Sequence, residues 1–188
     1  DLKTVKWPTP ELLASKYQRG RVLVIAGSDQ YLGAALLALK GAIASGVGSI
    51  KAFLPKQLAN SLWELLPEVV LSGSFEGSFN KFAGQTFLTS DTLSRLDGLL
   101  IGPGIGGELQ NWIFYKDLLQ DFEGLLVLDA DAINQLAFSD DGWHWIKARK
   151  GPTWITPHFA EFRRLFPTID RTSALNAAIA AAELCGAT

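Results

Sequence analysis

The stretch "LLIGPGIGG" occupies residues 99–107. The run "DGLLIG" that leads into it reads as a strand, and "ELQNWIFYKDLLQ" after it reads as a helix. Gly102, Gly104 and Gly107 satisfy G-x-G-x-x-G, and Asp129 follows about twenty residues later. Strand, glycine turn, helix and distant acid are the context of a dinucleotide-binding fingerprint, so the first question is whether the chain is a nicotinamide-dependent oxidoreductase. Three features count against that. Pro103 removes a backbone N–H and fixes φ where a pyrophosphate loop offers a donor. The motif lies past the midpoint of a 188-residue chain, whereas the fingerprint opens the first βαβ unit. Asp129 belongs to "DAD", with Asn134 behind it, and a ribose-binding acid needs only one carboxylate.

Outward from that stretch, strands and helices alternate. "RVLVIAG" (21–27), "SIKAFLP" (49–55), "EVVLSG" (68–73), "GLLVLDA" (124–130) and "TWIT" (153–156) read as strands, and "TFLT" (86–89) as a short one. Helices are expected over "TPELLASKY" (9–17, capped by Thr9), "YLGAALLALKGAIASG" (31–46) and "KQLANSLWELL" (56–66). Further helices are expected from Ser90, from Ala132, over "PHFAEFRRLF" (157–166) and from Thr172 or Ser173. Small residues at Ala34, Ala38, Gly41, Ala42 and Ser45 form one face of the 31–46 helix and are expected to lie on the sheet. Several strands are apolar on both faces, the pattern of a parallel sheet covered by helices on each side. The fold class expected is α/β, a three-layer α/β/α domain with a mostly parallel sheet. In such folds ligands bind beyond the carboxyl ends of the strands. "AGS" (26–28), "SG" (72–73), "GPG" (102–104), "DAD" (129–131) and "TPH" (156–158) are therefore the candidate edge.

Composition narrows the function classes. Hydrophobic residues make up 48% and charged residues 19%, which excludes a disordered chain. A net charge of −2 gives no basic footprint for nucleic acid or an anionic membrane. The basic tetrapeptide "KARK" (147–150) is read as a solvated loop. One cysteine, Cys185, excludes an internal disulfide and a cysteine-rich metal site. No apolar run is long enough to span a membrane and no signal peptide is visible, so a cytoplasmic location is expected. The chain starts at Asp1 and contains no methionine, so it is expected to be a piece of a longer protein.

Four stretches taken in order are more specific than any one of them. "VIAGSDQYLGAALLALKGAIASGVGSI" (24–50), "IGPGIG" (101–106), "VLDADAIN" (127–134) and "ITPHFAEFRRL" (155–165) closely resemble the NAD(P)H-hydrate dehydratases of the ribokinase-like superfamily. The resemblance covers residues 20–188 and makes residues 1–188 a single ribokinase-like domain, the N-terminal two-thirds of the family's domain. It implies an enzyme that uses ADP or ATP, with Mg²⁺, to phosphorylate the hydroxyl of hydrated NADH or NADPH. Loss of phosphate then restores the dihydropyridine. It also implies a homo-oligomer and, in a parent chain, a fused epimerase domain.

By the same resemblance, Gly27, Ser28, Gly33, Ala34, Gly102, Gly104 and His158 line the hydrated-cofactor site, with Asp129, Asp131, Asn134 and Glu161 in support. The residues alone leave other readings open. The glycines also suit tight turns and close packing. Asp131 also suits a helix cap, and Asp129 an indirect magnesium or positioning role. Thr156 reads as the cap of the helix that carries His158, with Pro157 at its first position. Phe75, Phe79 and Phe82 read as core anchors of a long loop, a lid or a subunit contact, and His144 as a surface residue. The family's catalytic aspartate lies in a G-x-G-D turn that does not occur in these residues. The alternatives are a ribokinase-like kinase of a hydroxymethylpyrimidine or thiazole alcohol, and a catalytically inactive dinucleotide-binding module.

Overall fold

A computed structural model describes residues 14–85, 87–106 and 112–188. Six strands form one sheet: β1 (Arg21–Ile25), β2 (Ser49–Pro55), β3 (Val69–Phe75), β4 (Gly98–Ile101), β5 (Leu125–Leu128) and β6 (Thr153–Ile155). Their order is β3-β2-β1-β4-β5-β6 and every pairing is parallel. The chain winds outward from β1 to β3, returns to the other side of β1, and winds outward again. At β6, Thr188 N–H donates to the Thr153 carbonyl (3.0 Å) and Ile155 N–H to the Thr188 carbonyl (2.9 Å), continuing the ladder beyond that strand.

Period-two alternation on doubly buried strands explains the layers. Leu23 and Ile25 of β1, Leu99 and Ile101 of β4, and Leu126 and Leu128 of β5 point into one core. Val24 of β1, and Ala52 and Leu54 of β2, point into the other. The second core is closed by α1 (Leu32–Ala44), α2 (Lys56–Ala59) and α3 (Leu62–Leu65). The first is closed by α4 (Lys81–Gln85), α5 (Ser90–Ser94), a 3₁₀ turn (Trp112–Tyr115), α6 (Lys116–Gln120), α7 (Asp131–Ala137), α8 (His144–Lys147), α9 (Phe159–Leu165) and α10 (Ala174–Cys185). The result is the expected three-layer α/β/α arrangement. No described helix is long and apolar enough to cross a membrane.

Several local expectations change. The face of α1 buried on the sheet centres on Ala35 and Leu39, one turn apart; of the small-residue stripe, Ala38 and Ala42 pack partly against the same core, whereas Gly41 faces open space. The 56–66 stretch forms two separate turns, α2 and α3. β3 runs on to Phe75, past the expected end at Gly73. Residues 87–89 form no strand, and the cap of α5 is Thr89, whose hydroxyl accepts from Thr92 N–H. Of the loop aromatics, Phe75 and Phe79 are buried against Phe53, whereas Phe82 is exposed. The "KARK" reading holds for the exposed Lys147 and Lys150 but not for Arg149, which is only 8% exposed. The proposed Thr9 cap and Gly107 lie outside the described residues, as does the start of the helix expected from Glu108.

Candidate functional site

The winding reverses between β1 and β4, and the loops leaving their carboxyl ends part there to form the crevice expected of such a sheet. Backbone hydrogen bonds stitch the loops together. Gly27 N–H donates to the Pro103 carbonyl (2.8 Å), joining the β1 loop to the β4 loop. Asp29 N–H donates to the Gly77 carbonyl (3.0 Å), and Gly77 N–H returns a bond to Asp29 Oδ2 (3.2 Å) across the end of β2. Phe79 N–H donates to the Ile105 carbonyl (3.1 Å), joining the β3 and β4 loops. Gly106 N–H donates to Asp131 Oδ2 (3.1 Å), while the buried Gln135 amide donates to the Gly106 carbonyl (3.0 Å). Four loops from four strands thus form one bonded rim.

That rim encloses an open cleft of about 660 Å³. Of the expected site residues, Ser28, Ala34, Gly104 and Asp131 line it. Gly27 and Gly102 lie beneath, at the necks of their loops, and both need positive φ (+83° and +133°). A Cβ on Gly102 would stand 1.8 Å from the Asp129 carbonyl oxygen, and one on Gly104 would stand 2.7 Å from Tyr31 Cβ. These glycines let loops pack on one another. Gly33 is exposed and faces open space. Ala130, also in the lining, holds φ at +50° and ψ at −118°, a conformation that glycine normally supplies, and so stores backbone strain at the cleft wall.

Asp131 does not cap α7; its carboxylate fixes the β4 loop instead, and the cap position is taken by Ala130 without a side-chain bond. Asp129 Oδ1 accepts from the Thr156 hydroxyl (2.8 Å), tying the β5 end to the β6 end. Asn134 Oδ1 accepts from Arg164 (2.8 Å), tying α7 to α9. No group of three or more metal-ligating side chains occurs among the described residues.

His158 also sits at the carboxyl edge, two strands away from the β1/β4 crevice, and is not in the cleft lining. It is itself the cap of α9, a correction to the expected start at Thr156 and Pro157. Its Nδ1 accepts from Ala160 N–H (3.0 Å), and Glu161 Oε2 accepts from His158 N–H (2.9 Å), a reciprocal capping box. With Nδ1 accepting, the ring proton sits on Nε2, 3.2 Å from Glu161 Oε1. Both ring nitrogens are thus engaged within the first turn, and a ligand that bonds the ring must displace one of these contacts. His158→Ala is expected to cost about 1 kcal/mol of stability through the lost cap. His158→Asn, which can still cap, should recover most of it. Paired thermal melts decide, and an unchanged melt for the alanine variant would show the cap to be idle. His144 is exposed and stacked on Trp143, as a surface residue should be.

Sequence reading missed Asp29, Gln30, Tyr31, Gly77, Ser78 and Gly106, all of which line the cleft. The first three lie inside the stretch "VIAGSDQYLGAALLALKGAIASGVGSI" (24–50). Gly77 and Ser78 became strand-end residues only because β3 continues to Phe75.

A family model described as NAD(P)H-hydrate dehydratase matches residues 22–188. The chain is 40% identical over 177 residues to the bifunctional NAD(P)H-hydrate repair enzyme Nnr of Synechocystis sp., covering 94% of this chain and 32% of that one. It is 36% identical over 156 residues to the Gloeobacter violaceus protein of the same name, covering 83% and 29%. The chain thus spans about a third of the length of these relatives. Among solved structures, a ribokinase-like superfamily protein from Enterococcus faecalis superposes with a TM-score of 0.75 at 24% identity, covering 96% of this chain and 60% of that one. The ADP/ATP-dependent NAD(P)H-hydrate dehydratase of Bacillus subtilis, co-crystallised with ATP and Mg²⁺, gives a TM-score of 0.63 at 24% identity, covering 86% and 52%. At that identity these two show a shared fold.

Proposed function

The chain belongs to the NAD(P)H-hydrate dehydratase family, and on that premise we propose that its cleft receives the hydrated ring of NADH or NADPH in a nucleotide-dependent repair reaction. In the reaction the ring hydroxyl attacks the terminal phosphorus of ADP or ATP and gives up its proton, while the bond from that phosphorus to its bridging oxygen breaks and AMP or ADP leaves with the electron pair. The ring C–O bond then breaks, phosphate leaves with the electron pair, and loss of a ring proton restores the double bond. The observation that carries the reading is the convergence of the "GS", "GPG" and "DAD" loops on one cleft at the sheet's switch point, through Ser28, Ala34, Gly104 and Asp131. The described residues hold no cage for Mg²⁺, so in this reading the cation arrives on the nucleotide's phosphates. This chain's residues orient the hydrate: loops rigidified by Asp29, Asp131 and Asp129 hold their glycine backbones in fixed places. The Nnr relatives are named bifunctional, which supports an epimerase unit on the parent chain.

The parent protein should convert hydrated NADH to NADH only when ADP or ATP and Mg²⁺ are both added. Recovery of dihydropyridine absorbance is the readout. Equal turnover without nucleotide would refute the phosphorylation route. Hydrate binding with no nucleotide-dependent turnover would leave a binding module in its place.

A further inference from the structure

Gln135 is 3% exposed on α7, beside Ala132, Ile133 and Leu136, which belong to the first core. An amide in that setting gives up its water and lowers stability unless both of its ends find partners. Both do. Its Nε2 group donates to the Gly106 carbonyl (3.0 Å), and its Oε1 accepts from Trp112 N–H (3.4 Å). The reverse orientation would set oxygen against oxygen and N–H against N–H, so these partners fix the amide.

Asp131 lies four residues earlier on the same helix and so on the same face. Its Oδ2 accepts from Gly106 N–H (3.1 Å). One turn of α7 thus grips both polar groups of a single residue. Gly106 lines the cleft, and Gln135 stands behind it, outside the lining. On its other side the β4 loop meets the β3 loop: Phe79 N–H donates to the Ile105 carbonyl (3.1 Å), and a Cβ on Gly106 would stand 2.3 Å from Ser78 Oγ. An apolar side chain at position 135 would fill the same core. What glutamine adds is a donor and an acceptor, and the donor's target is the cleft wall.

We infer that Gln135 is a positioning residue for the repair reaction: acting through Gly106, its amide sets the β4 side of the cleft wall in register with the substrate. It touches no reacting atom, and Asp131 and Gln135 work as one clamp. The inference rests on the reading of the cleft as the hydrate site.

The test compares Gln135→Met and Gln135→Glu with the unmodified parent protein. Methionine keeps most of the volume and loses both bonds. Glutamate keeps an acceptor for Trp112 N–H and, when ionised, loses the donor to Gly106. Both variants should raise the KM for hydrated NADH about tenfold and leave the KM for ADP or ATP within about twofold. Amide hydrogen exchange at Gly106 should quicken in both. If the buried carboxylate keeps Gln135→Glu from folding, Gln135→Met carries the test alone. A lower melting temperature with hydrate and nucleotide constants changed alike overturns the inference, because the amide would then serve only the core. Faster Gly106 exchange with an unchanged hydrate KM also overturns it, since the substrate would then be indifferent to the wall. Unchanged exchange at Gly106 overturns the clamp. If the unmodified parent turns over no hydrate, the functional reading and the positioning role fall together, and the exchange measurement still decides whether Gln135 holds Gly106.

Discussion

Replacing Arg149 by methionine should unfold the domain far more readily than any change at its two lysine neighbours. The guanidinium donates to five oxygens: the carbonyls of Leu119 (3.0 Å), Phe122 (2.8 Å), Gly124 (3.3 Å) and Pro152 (2.9 Å), and the Thr153 hydroxyl (2.7 Å). These oxygens belong to the end of α6, the approach to β5 and the approach to β6, so one side chain joins three segments at the amino edge of the sheet. No carboxylate pairs with it among the described residues. Burial pushes its pKa down to about 10, and it remains charged at neutral pH because carbonyl dipoles surround it. Methionine fills much of the volume but leaves the oxygens without donors, and each buried orphan costs about 1–3 kcal/mol. Some will find water. A net loss of about 3 kcal/mol is expected, about 6–12 °C in melting temperature for a domain of this size. Lysine offers three donors without the planar fork and should recover only part of it. Lys150→Met should change little, because Lys150 and its partner Asp121 are exposed. Urea unfolding of the three variants measures this; a loss below about 1 kcal/mol for Arg149→Met would show that the clamp carries no weight.

Arg149 also marks a limit of sequence reading. A basic tetrapeptide looks solvated, and the partners that bury this arginine are backbone carbonyls, which every residue possesses. Nothing in "KARK" distinguishes the third position from the others. The strands were legible for the opposite reason. "RVLVI" (21–25) and "GLLI" (98–101) carry apolar side chains toward both cores, and only a sheet covered on both faces accommodates that pattern. β3 was cut short because "SGSF" looks like a turn. The glycine has another role: a Cβ on Gly73 would stand 2.6 Å from the Phe53 ring, so the residue is small to admit an aromatic ring and the strand continues. The start of α9 was misplaced by two residues because Thr-Pro resembles a cap followed by a first-turn proline, whereas His158 supplies the capping nitrogen.

The site was legible in its loops and less so in its glycines. The pattern at 102–107 imitates a pyrophosphate loop, but it follows β4, the first strand of the second half of the sheet. The space that a fingerprint glycine would leave for a phosphate is filled by protein, by the Asp129 carbonyl at Gly102 and by Tyr31 and Ala34 at Gly104. Periodicity cannot reveal which neighbour a glycine accommodates, since that depends on contacts between loops dozens of residues apart. The acids were similarly ambiguous. Asp129 and Asp131 both belong to one tripeptide, yet one accepts from Thr156 on β6's loop and the other from Gly106 on β4's loop.

Gly102→Ala and Gly33→Ala should therefore behave in opposite ways, although family resemblance assigns both residues to the ligand site. At Gly102 the added methyl meets the Asp129 carbonyl oxygen at 1.8 Å and the Ala132 side chain at 2.8 Å, with φ at +133°. Neither neighbour can yield cheaply, because Asp129 O accepts from Ala132 N–H and the turn above it is already strained at Ala130. Backbone strain and overlap together should cost about 3 kcal/mol or more, and displacement of the Asp129–Asp131 turn should abolish hydrate turnover in the parent protein. At Gly33 the methyl enters open space in the first turn of α1. Alanine is the better helix former there, so stability should hold or rise by up to about 1 kcal/mol. Gly33 is outside the cleft lining, and hydrate affinity should stay within about twofold, under 0.5 kcal/mol. Melting curves and hydrate titrations on both variants give four results. A normal melt for Gly102→Ala would show that the loop has slack. A tenfold affinity loss in a well-folded Gly33→Ala protein would place the ligand across the start of α1 and outside the cleft enclosed by the four loops.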